Sequence, residues 1–576
     1  MGALLIMLVA FVGYIIMYKL YGKYIGNKIF GLSDTNKVPA VELEDGVDFV
    51  PTKKEVIFGH HFTSIAGTGP IVGPAIAIIW GWVPAMLWIF LGSIIMGAVH
   101  DFGTLIISMR NKGKSISEFT AKYINGRTKI FFFFVVFLEL WIIVAIFGLV
   151  MAIIFKNYPG AVLPVWIEIP IAMYLGYMVY QKGASLLKWS IYAIIAMYAT
   201  VIIGAYLPFE MPTIFGLSPI ASWSIILLAY AFIASVLPVT KLLQPRDYMN
   251  SHELVIAMAL MALGVLFAAF GGNLHIVAPA SQSAPAGAPP LWPFLFITIA
   301  CGAISGWHSL VSSGTSSKQV RKESDSVFVG YGSMLLEGSL ATLVIIAVAA
   351  GIGMGFTAGG QTFTGIPAWT QHYASWAAMG GLGSKVGAFV QGSANMLGAI
   401  GIPMKIGLII MGVFVASFAG TTLDTATRIQ RYVMTETFPK TFKNRYFSTA
   451  VVVLLALGLI FSSGANGKGA LNLWPLFGAT NQTLAGLSLV IITIYLREKG
   501  GWKWLVSGIP AVFMLFMSFW ALWLNETTYG DKGNVLLEIV NIVIMVSVVW
   551  VSVEGAIKFF SIKKSESTHG AVTDKA

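Results

Sequence analysis

Charged residues are scarce in this chain. Lys, Arg, Asp and Glu make up 11% of its 576 residues, whereas hydrophobic residues make up 57%. An ordinary soluble domain has about 25% charged residues, so this composition, together with a mean hydropathy of +0.80, excludes a soluble domain. The apolar runs approach the roughly 20 residues that a helix needs to cross a bilayer. We therefore predict an all-α polytopic membrane protein.

Cysteine and catalytic motifs are almost missing as well. The one cysteine, Cys301, lies in an apolar run, so an intramolecular disulfide is excluded. The chain has no G-x-S-x-G, H-E-x-x-H or Walker-type motif and no soluble catalytic domain. His60 and His61 are adjacent and point to different helix faces, which disfavours a shared metal ion. We predict no catalytic residue, no cofactor and no metal centre.

The apolar runs predict fifteen membrane spans. The first lacks a basic leading region and a cleavage site, so it is predicted to be a retained helix rather than a signal peptide. The predicted spans cover about 2–20, 56–80, 84–108, 130–155, 160–180, 187–207, 222–239, 252–274, 291–314, 328–354, 403–423, 446–463, 475–496, 502–524 and 533–560. Residues 384–400, polar on one side, are predicted to be re-entrant or a buried half-helix and are not counted.

The basic residues predict the orientation. With the N-terminus outside, all but five of the 36 Lys and Arg residues lie in cytoplasmic segments, as the positive-inside rule requires, and the C-terminus is cytoplasmic. The net charge of +11 therefore indicates a lipid bilayer as the partner rather than nucleic acid.

Five segments are predicted along the chain. They are an N-terminal helix and cytoplasmic linker (1–55), a first inverted-repeat half (56–274), an extracellular loop (275–290), a second half with additional C-terminal helices (291–560) and a disordered cytoplasmic tail (561–576).

Two apolar segments share the pattern H-x5-G-T. The first instance begins at His61 and ends at Gly67-Thr68, and the second begins at His308 and ends at Gly314-Thr315. The predicted topology directs the two helices oppositely across the membrane. Matching motifs on oppositely directed helices are typical of the inverted repeats of secondary transporters.

The first motif continues into Gly69-Pro70, which predicts a broken helix. Glycine costs about 1 kcal/mol and proline about 3 kcal/mol in a helix interior, and freed backbone groups at membrane depth are tolerated where protein or a water-filled cavity satisfies them. The unwound amides and the positive end of the following half-helix suit a carboxylate. The alternative is a kinked helix packed through its small residues. The predicted substrate-binding residues are His61, Gly67, Thr68, Gly69, Pro70, His308, Gly314 and Thr315.

Ionisable residues in membrane spans are costly, so each is a candidate for function. Histidine and carboxylate together are able to relay protons, since histidine titrates near neutral pH; the alternative is a hydrogen-bonded packing role. Asp424 and Arg428 are four residues apart, so they share a helix face and are able to pair there. Glu139, Glu168 and Glu337 also lie in apolar runs. The predicted coupling residues are His60, His100, Asp101, Asp424 and Arg428.

Several blocks, in order between about residues 55 and 500, resemble the carbon starvation protein A family. They are the stretches at 59–62 and 65–74, 97–102, 237–248, 301–315 and 473–482. The stretch Asp424-Thr-Ala-Thr-Arg428 departs from the Asp-Ala-Gly-Thr-Arg expected of the family but keeps both ends.

The resemblance implies a nutrient transporter of the inner membrane in the carbon-starvation response. Its implied substrates are peptides or, as in close relatives, pyruvate taken up with protons, and its implied fold is a LeuT-type core with broken helices and extra helices. The leading hypothesis is therefore secondary active uptake of a small carboxylate-bearing nutrient. The alternatives are a membrane sensor or channel and, less favoured, an intramembrane enzyme using His60, His61 and Asp101.

The coupling cation, H⁺ or Na⁺, is not decided by spacing. The hydroxyls of Ser64, Thr68 and Thr421-Thr422 suit sodium but also suit bonds back to their own helices. We favour protons because of the buried histidines. The pattern does not indicate an oligomeric state.

Overall fold

The computed structural model describes residues 1–562, so the predicted disordered tail lies outside the described residues from residue 563 onward. Within the described chain the fold is almost wholly helical. The exception is a hairpin in which β1 (Phe356–Ala358) pairs with β2 (Gln361–Phe363) in antiparallel register. The predicted fold class, an all-α polytopic membrane protein, is confirmed.

The α-helices follow one another with short connections, some of which are single π or 3₁₀ turns. In chain order they are α1 Gly2–Met17, α2 Pro39–Glu42, α3 Lys54–Ile65, α4 Gly69–Ala77, α5 Trp82–Gly92, α6 Ala98–Arg110, α7 Ile116–Tyr123, α8 Gly126–Asn157, α9 Val162–Gly176, α10 Leu186–Tyr206, α11 Pro219–Val236, α12 Leu243–Phe270, α13 Leu291–Thr298, α14 Gly306–Gly314, α15 Ser333–Ala349, α16 Gly365–Tyr373, α17 Leu382–Gly398, α18 Met404–Thr437, α19 Arg445–Phe461, α20 Trp474–Glu498, α21 Leu505–Asp531 and α22 Val535–Ser561.

Twelve helices within residues 1–562 are long and apolar enough to cross a membrane, and the bent pair α3–α4 raises the number to thirteen. The predicted count of fifteen is therefore not confirmed. The predicted span 291–314 is instead two short helices, α13 and α14, and the predicted span 446–463 is α19, which has only 17 residues. The weak segment 384–400 is part of one continuous 17-residue helix, α17.

Two helices extend well beyond their predicted bounds. The prediction ended each span where the sequence becomes polar, but a polar stretch remains helical when other parts of the protein surround it. The helix α18 has 34 residues and continues past the predicted end at 423 through a stretch that is buried up to Met434. The helix α12 begins at Leu243, before the predicted start at 252, and its first polar turns are buried too. Neighbouring side chains replace water as hydrogen-bond partners there.

Burial separates a central group of helices from a peripheral one. The most apolar stretches of the spans that contain α15, α18 and α20 are 94%, 89% and 94% buried, whereas those of α1 and α10 are each 28% buried. The peripheral helices therefore face lipid. The predicted functional residues Asp424 and Arg428 lie on α18, and His60, His61, His100, Asp101 and His308 are buried on α3, α6 and α14.

Candidate substrate and ion site

The first predicted break is present. The helices α3 and α4 meet at 42° across residues 66–68, and the carbonyl of Thr68 accepts the amide of Val72 at 2.8 Å to start α4. The carbonyl of Ser64, freed at the end of α3, accepts from the Trp307 indole at 2.9 Å and from the Thr422 hydroxyl at 3.3 Å. Side chains of neighbouring helices thus satisfy the broken backbone, as a membrane interior requires.

A second break separates α13 from α14, across residues 299–305. The two breaks pack directly against each other. A Cβ atom added at Gly69 would collide with the Cys301 side chain, and one added at Gly73 would lie 2.5 Å from the Thr298 carbonyl oxygen. Glycine is required at both positions because side chains and backbone of the second break approach so closely.

The two H-x5-G-T motifs both end where a helix ends, α3 for the first and α14 for the second, but they lie on different sides of their breaks. The first motif runs into its break, and Gly67-Thr68 form the unwound turn. The second follows its break, since His308 lies in α14 and Gly314 ends that helix. The end of the second motif lies beside the start of the first, because the hydroxyl of Thr315 is 3.0 Å from Nε2 of His60, the residue before His61. The spacing of six residues from histidine to glycine recurs in both motifs. The first break, at 66–68, lies within the first motif, whereas the second break, at 299–305, ends before the second motif begins.

Asp101 lies at the centre of one buried group. Its Oδ1 accepts from His100 Nδ1 at 2.8 Å and its Oδ2 accepts from His308 Nδ1 at 2.9 Å. The other nitrogen of His308, Nε2, is 3.3 Å from the carboxylate of Glu337. All four side chains are fully buried. We call His100, Asp101, His308 and Glu337 the Asp101 cluster.

Cys301 borders the Asp101 cluster. Its thiol, an imidazole nitrogen of His308 and a carboxylate oxygen of Glu337 all lie within 4.8 Å of one another. Thiolate, imidazole and carboxylate are the donor types that zinc takes.

Arg246 lies at the centre of a second buried group. It pairs with Asp424, lies 3.3 Å from Asp247 and has its Nε 3.8 Å from Glu168. Nδ1 of His60 lies 2.5 Å from the other oxygen of Asp247. A cavity of about 20 Å³ borders this group and is lined in part by Glu168, Tyr230, Arg246 and Ser417. We call His60, Glu168, Arg246, Asp247 and Asp424 the Arg246 cluster.

His61 lies beside both groups. Its Nδ1 is 2.8 Å from the Ser316 hydroxyl, and its Nε2 is buried without a hydrogen-bond partner among the described residues. The break residues Gly67 and Gly69 follow on the same chain segment. Of the predicted substrate-binding residues, His61, the first break and Thr315 are therefore close together, while Gly314 packs against Ile429 on α18.

The predicted pair of Asp424 and Arg428 does not form. Asp424 pairs with Arg246 on α12, whereas Arg428 donates to Asp48 at 2.8 Å and to the Leu237 carbonyl at 2.5 Å. Tertiary partners on other segments outweigh the local one, since an i, i+4 pair contributes only about 0.2–0.5 kcal/mol.

Asp48 lies in the linker that precedes α3, outside the membrane spans. Burial works to raise the pKa of its carboxyl, but the guanidinium groups of Arg428 and Arg431 outweigh burial and hold the pKa below its usual value. The carboxylate is therefore charged at neutral pH, and Arg428, whose side chain is 1% exposed, has a permanent counter-ion.

The comparisons with known proteins agree with this architecture. The chain matches the family described as carbon starvation protein CstA over residues 2–521. It belongs to this family. A protein of Campylobacter jejuni named peptide transporter CstA is 32% identical over 93% of this chain and 82% of its own length. A protein of Escherichia coli K12 named pyruvate/proton symporter BtsT is 31% identical over 89% of this chain and 80% of its own length.

Solved structures with a similar course of the chain include MhsT in complex with L-phenylalanine. It is 13% identical, covers 88% of this chain and 99% of its own, and has a TM-score of 0.46. The nucleobase-cation-symport-1 transporter Mhp1 gives 13% identity and a TM-score of 0.43.

The CstA-family blocks in the sequence converge on the two clusters. The block at 237–248 supplies Arg246 and Asp247, and the block at 301–315 supplies Cys301 and His308. The block at 473–482 supplies Asn481, whose side-chain oxygen accepts the Trp307 amide at 2.8 Å and so supports the start of α14.

Sequence reasoning gave no role to several residues that the structure places at the site. Arg246, Asp247 and Asn481 carried a signal, because they lie in the family blocks. Glu337 carried a weaker one, as a carboxylate in an apolar run. Asp48 carried none, since an acidic residue in a polar linker is indistinguishable from a solvated one.

Proposed function

We propose that this CstA-family protein is a secondary active transporter that imports a small carboxylate-bearing nutrient, a peptide or pyruvate, with a coupling cation, of which H⁺ is favoured over Na⁺. One observation carries the proposal. Two broken helices meet at their breaks, and fully buried histidines and carboxylates on the neighbouring helices lie beside that point. Intramembrane ionisable groups of this kind mark ion and substrate paths.

The substrate carboxylate binds at the first break in this proposal. The helix α4 begins there at Gly69 and directs its positive end toward the break. His61, Gly67, Thr68, Gly69 and Pro70 line this place, while His308, Gly314 and Thr315 contribute from α14 and its end. The names of the relatives support this chemistry, because a peptide and pyruvate both carry a carboxylate.

The coupling cation acts at the two clusters. His100 and Asp101 belong to the Asp101 cluster, and His60 and Asp424 belong to the Arg246 cluster. Arg428, predicted to be a coupling residue, is proposed to close one side of the protein through Asp48, since it pairs with neither cluster.

The two halves at 56–274 and 291–560 then move against each other around the breaks. We propose that the N-terminus lies outside and the C-terminus in the cytoplasm of a bacterial inner membrane, in keeping with the distribution of Lys and Arg. The named relatives are transporters, and we propose transport without chemical conversion of the substrate.

Uptake by purified protein in proteoliposomes tests the proposal. Labelled pyruvate and a labelled dipeptide are offered separately under an inward pH gradient and under an inward sodium gradient. Accumulation of one substrate under one gradient supports the proposal and identifies both substrate and cation. Folded protein that accumulates neither contradicts it, and ion currents far above a transporter's turnover would indicate a channel instead.

A further inference from the structure

We propose that Glu337 is the carboxylate that carries the coupling proton and that His308 passes this proton between Glu337 and Asp101. The inference rests on the proposed transport function and deepens it. Glu337 lies in the second turn of the central helix α15, and its side chain is fully buried. Neither of its carboxylate oxygens has a hydrogen-bond partner among the described residues.

Among the described residues, the ion-pair partner of Glu337 is His308. The carboxylate is 3.3 Å from Nε2 of His308, and Nδ1 of the same ring is 2.9 Å from Asp101. The imidazole therefore lies between the two carboxylates, bonded to Asp101 through Nδ1 and with Nε2 beside Glu337 and without a hydrogen-bond partner among the described residues. A histidine in this position is able to receive a proton on one side and release one on the other.

The charges around Glu337 leave it with one counter-ion among the described residues, and Glu337 shares that counter-ion with Asp101. The elements packed on α15 present these titratable groups: Tyr14 from α1, His60 and His61 from α3, His100 and Asp101 from α6, Arg246, Asp247, Tyr248, His252 and Glu253 from α12, Lys385 from α17, and Tyr331 from the turn before α15. His308 of α14 and Cys301 of the break before it also lie beside Glu337. The described ion pairs of Asp101 and Glu337 are all with histidine. Asp101 has two imidazole partners, His100 and His308, whereas Glu337 has only His308, which it shares with Asp101. A buried carboxylate with one shared counter-ion is costly to keep charged.

The proton transfer balances as follows. In the loaded state Glu337 is protonated, His308 is neutral with its proton on Nδ1, and Asp101 is charged. The O–H bond of Glu337 breaks as an N–H bond forms at Nε2 of His308, and the N–H bond at Nδ1 breaks as an O–H bond forms on Asp101. The products are charged Glu337, neutral His308 with its proton on Nε2, and protonated Asp101. The total charge is unchanged, and return of the proton restores the first tautomer.

The position of Cys301 joins this step to the substrate site. The Cys301 thiol lies within 4.8 Å of the donor atoms of His308 and Glu337, and its side chain fills the space that a Cβ atom on Gly69 would need. A substrate that displaces the first break therefore also displaces Cys301, which lies beside His308 and Glu337. Proton binding at Glu337 and substrate binding at Gly69 are coupled through this contact.

The Glu337→Gln variant tests the inference in the proteoliposome assay, with Glu139→Gln as the matched control. Glu139 is also fully buried with both carboxylate oxygens unpartnered among the described residues, but it lies on α8. We expect Glu337→Gln to exchange labelled for unlabelled substrate across the membrane, because exchange needs no net proton movement, yet to lose all accumulation driven by a pH gradient. Glu139→Gln is expected to accumulate substrate as the wild type does.

Three results would overturn the inference while leaving the transport function standing. In the first, Glu337→Gln accumulates as much substrate as the wild type. In the second, folded Glu337→Gln protein loses both exchange and accumulation. In the third, the wild type accumulates substrate under a sodium gradient alone. The inference would also be overturned if the purified wild type contained stoichiometric zinc and the Cys301→Ser variant did not, because the residues would then form a metal site. A wild type that transports neither substrate contradicts the proposed function itself.

A second variant covers the case in which Glu337→Gln does not fold. Glu337→Asp keeps the charge but shortens the side chain by one methylene group, which moves the carboxylate away from His308. We expect weaker accumulation with normal exchange. Accumulation equal to the wild type would overturn the proposed role.

Discussion

Arg428 and Asp48 are 380 residues apart in the chain, and their side chains are joined by a hydrogen bond of 2.8 Å. The linker that contains Asp48 makes further bonds on the same side of the protein. The amide of Val50 donates to the Lys318 carbonyl at 3.2 Å, and the amide of Val239 donates to the carbonyl of Val47 at 3.1 Å. The linker thus ties together the regions that follow α11 and α14 and the second half of α18, and in the proposed transport function it closes this side of the molecule.

Asp48→Asn should loosen this closure. The variant leaves Arg428 buried without a counter-ion, which costs about 2–5 kcal/mol, although its bonds to backbone carbonyls remain. Cys301 is the one cysteine in the chain and is buried at the second break, so it serves as a natural reporter. We expect faster alkylation of Cys301 and a lower melting temperature than in the wild type.

Asp34→Asn is the matched control for that experiment. Asp34 lies in the same N-terminal region and pairs with Lys322, but both side chains are about half exposed. Exposed pairs contribute about 0–1 kcal/mol, so this variant should label and melt as the wild type does. Equal labelling of the Asp48 and Asp34 variants would show that the Arg428 contact does not hold the protein closed.

The pH dependence of the Asp48 contact has a definite sign. The arginines hold the pKa of Asp48 below its usual value, so the contact stabilises the folded state above the unfolded pKa of about 3.9. This contribution is lost as the pH falls through the lower, folded pKa. We expect the difference in melting temperature between the wild type and Asp48→Asn to be constant from neutral pH to about pH 5 and to shrink below about pH 4. If this difference in melting temperature changed between pH 6 and 8 instead, a group other than Asp48 would be responsible for the pH dependence.

Local rules predicted the first break but not the groups around it. The cluster Gly67-Thr68-Gly69-Pro70 breaks a helix through its own backbone chemistry, so sequence was sufficient there. The pair Asp424–Arg428 followed from a local rule too and was wrong, because each residue has a stronger partner far away in the chain. The polar half of α18 also escaped prediction, since its burial depends on packing that no window of the sequence contains.

The contact between the two breaks predicts a second-site rescue. Gly69→Ala should abolish uptake, because the new Cβ atom would lie 2.6 Å from Cβ of Cys301 and would collide with its sulfur. Cys301→Gly removes both colliding atoms, so the double variant should regain part of the uptake. Gly458→Ala on α19 is the control, since its Cβ would meet nothing within 4 Å and should leave uptake unchanged. Full uptake by Gly69→Ala alone would contradict the close approach of the breaks.

The Arg246 cluster predicts an asymmetry between its members. Arg246 is the one arginine among three carboxylates, Asp424, Asp247 and Glu168. Arg246→Met leaves these acids facing one another, and removing one side of a buried ion pair costs about 3–5 kcal/mol. Asp424→Asn removes one negative charge while Arg246 keeps the other two, so it should be much less destabilising.

Thermal unfolding of the two purified variants in the same detergent measures this asymmetry. We expect Arg246→Met to lower the melting temperature far more than Asp424→Asn does. Because the excess of carboxylates is the cause, combining Arg246→Met with Asp424→Asn should recover part of the loss. A double variant less stable than Arg246→Met would show instead that Asp424 stabilises the fold through its hydrogen bond from Tyr230, at 3.0 Å, and not through the charge of Arg246.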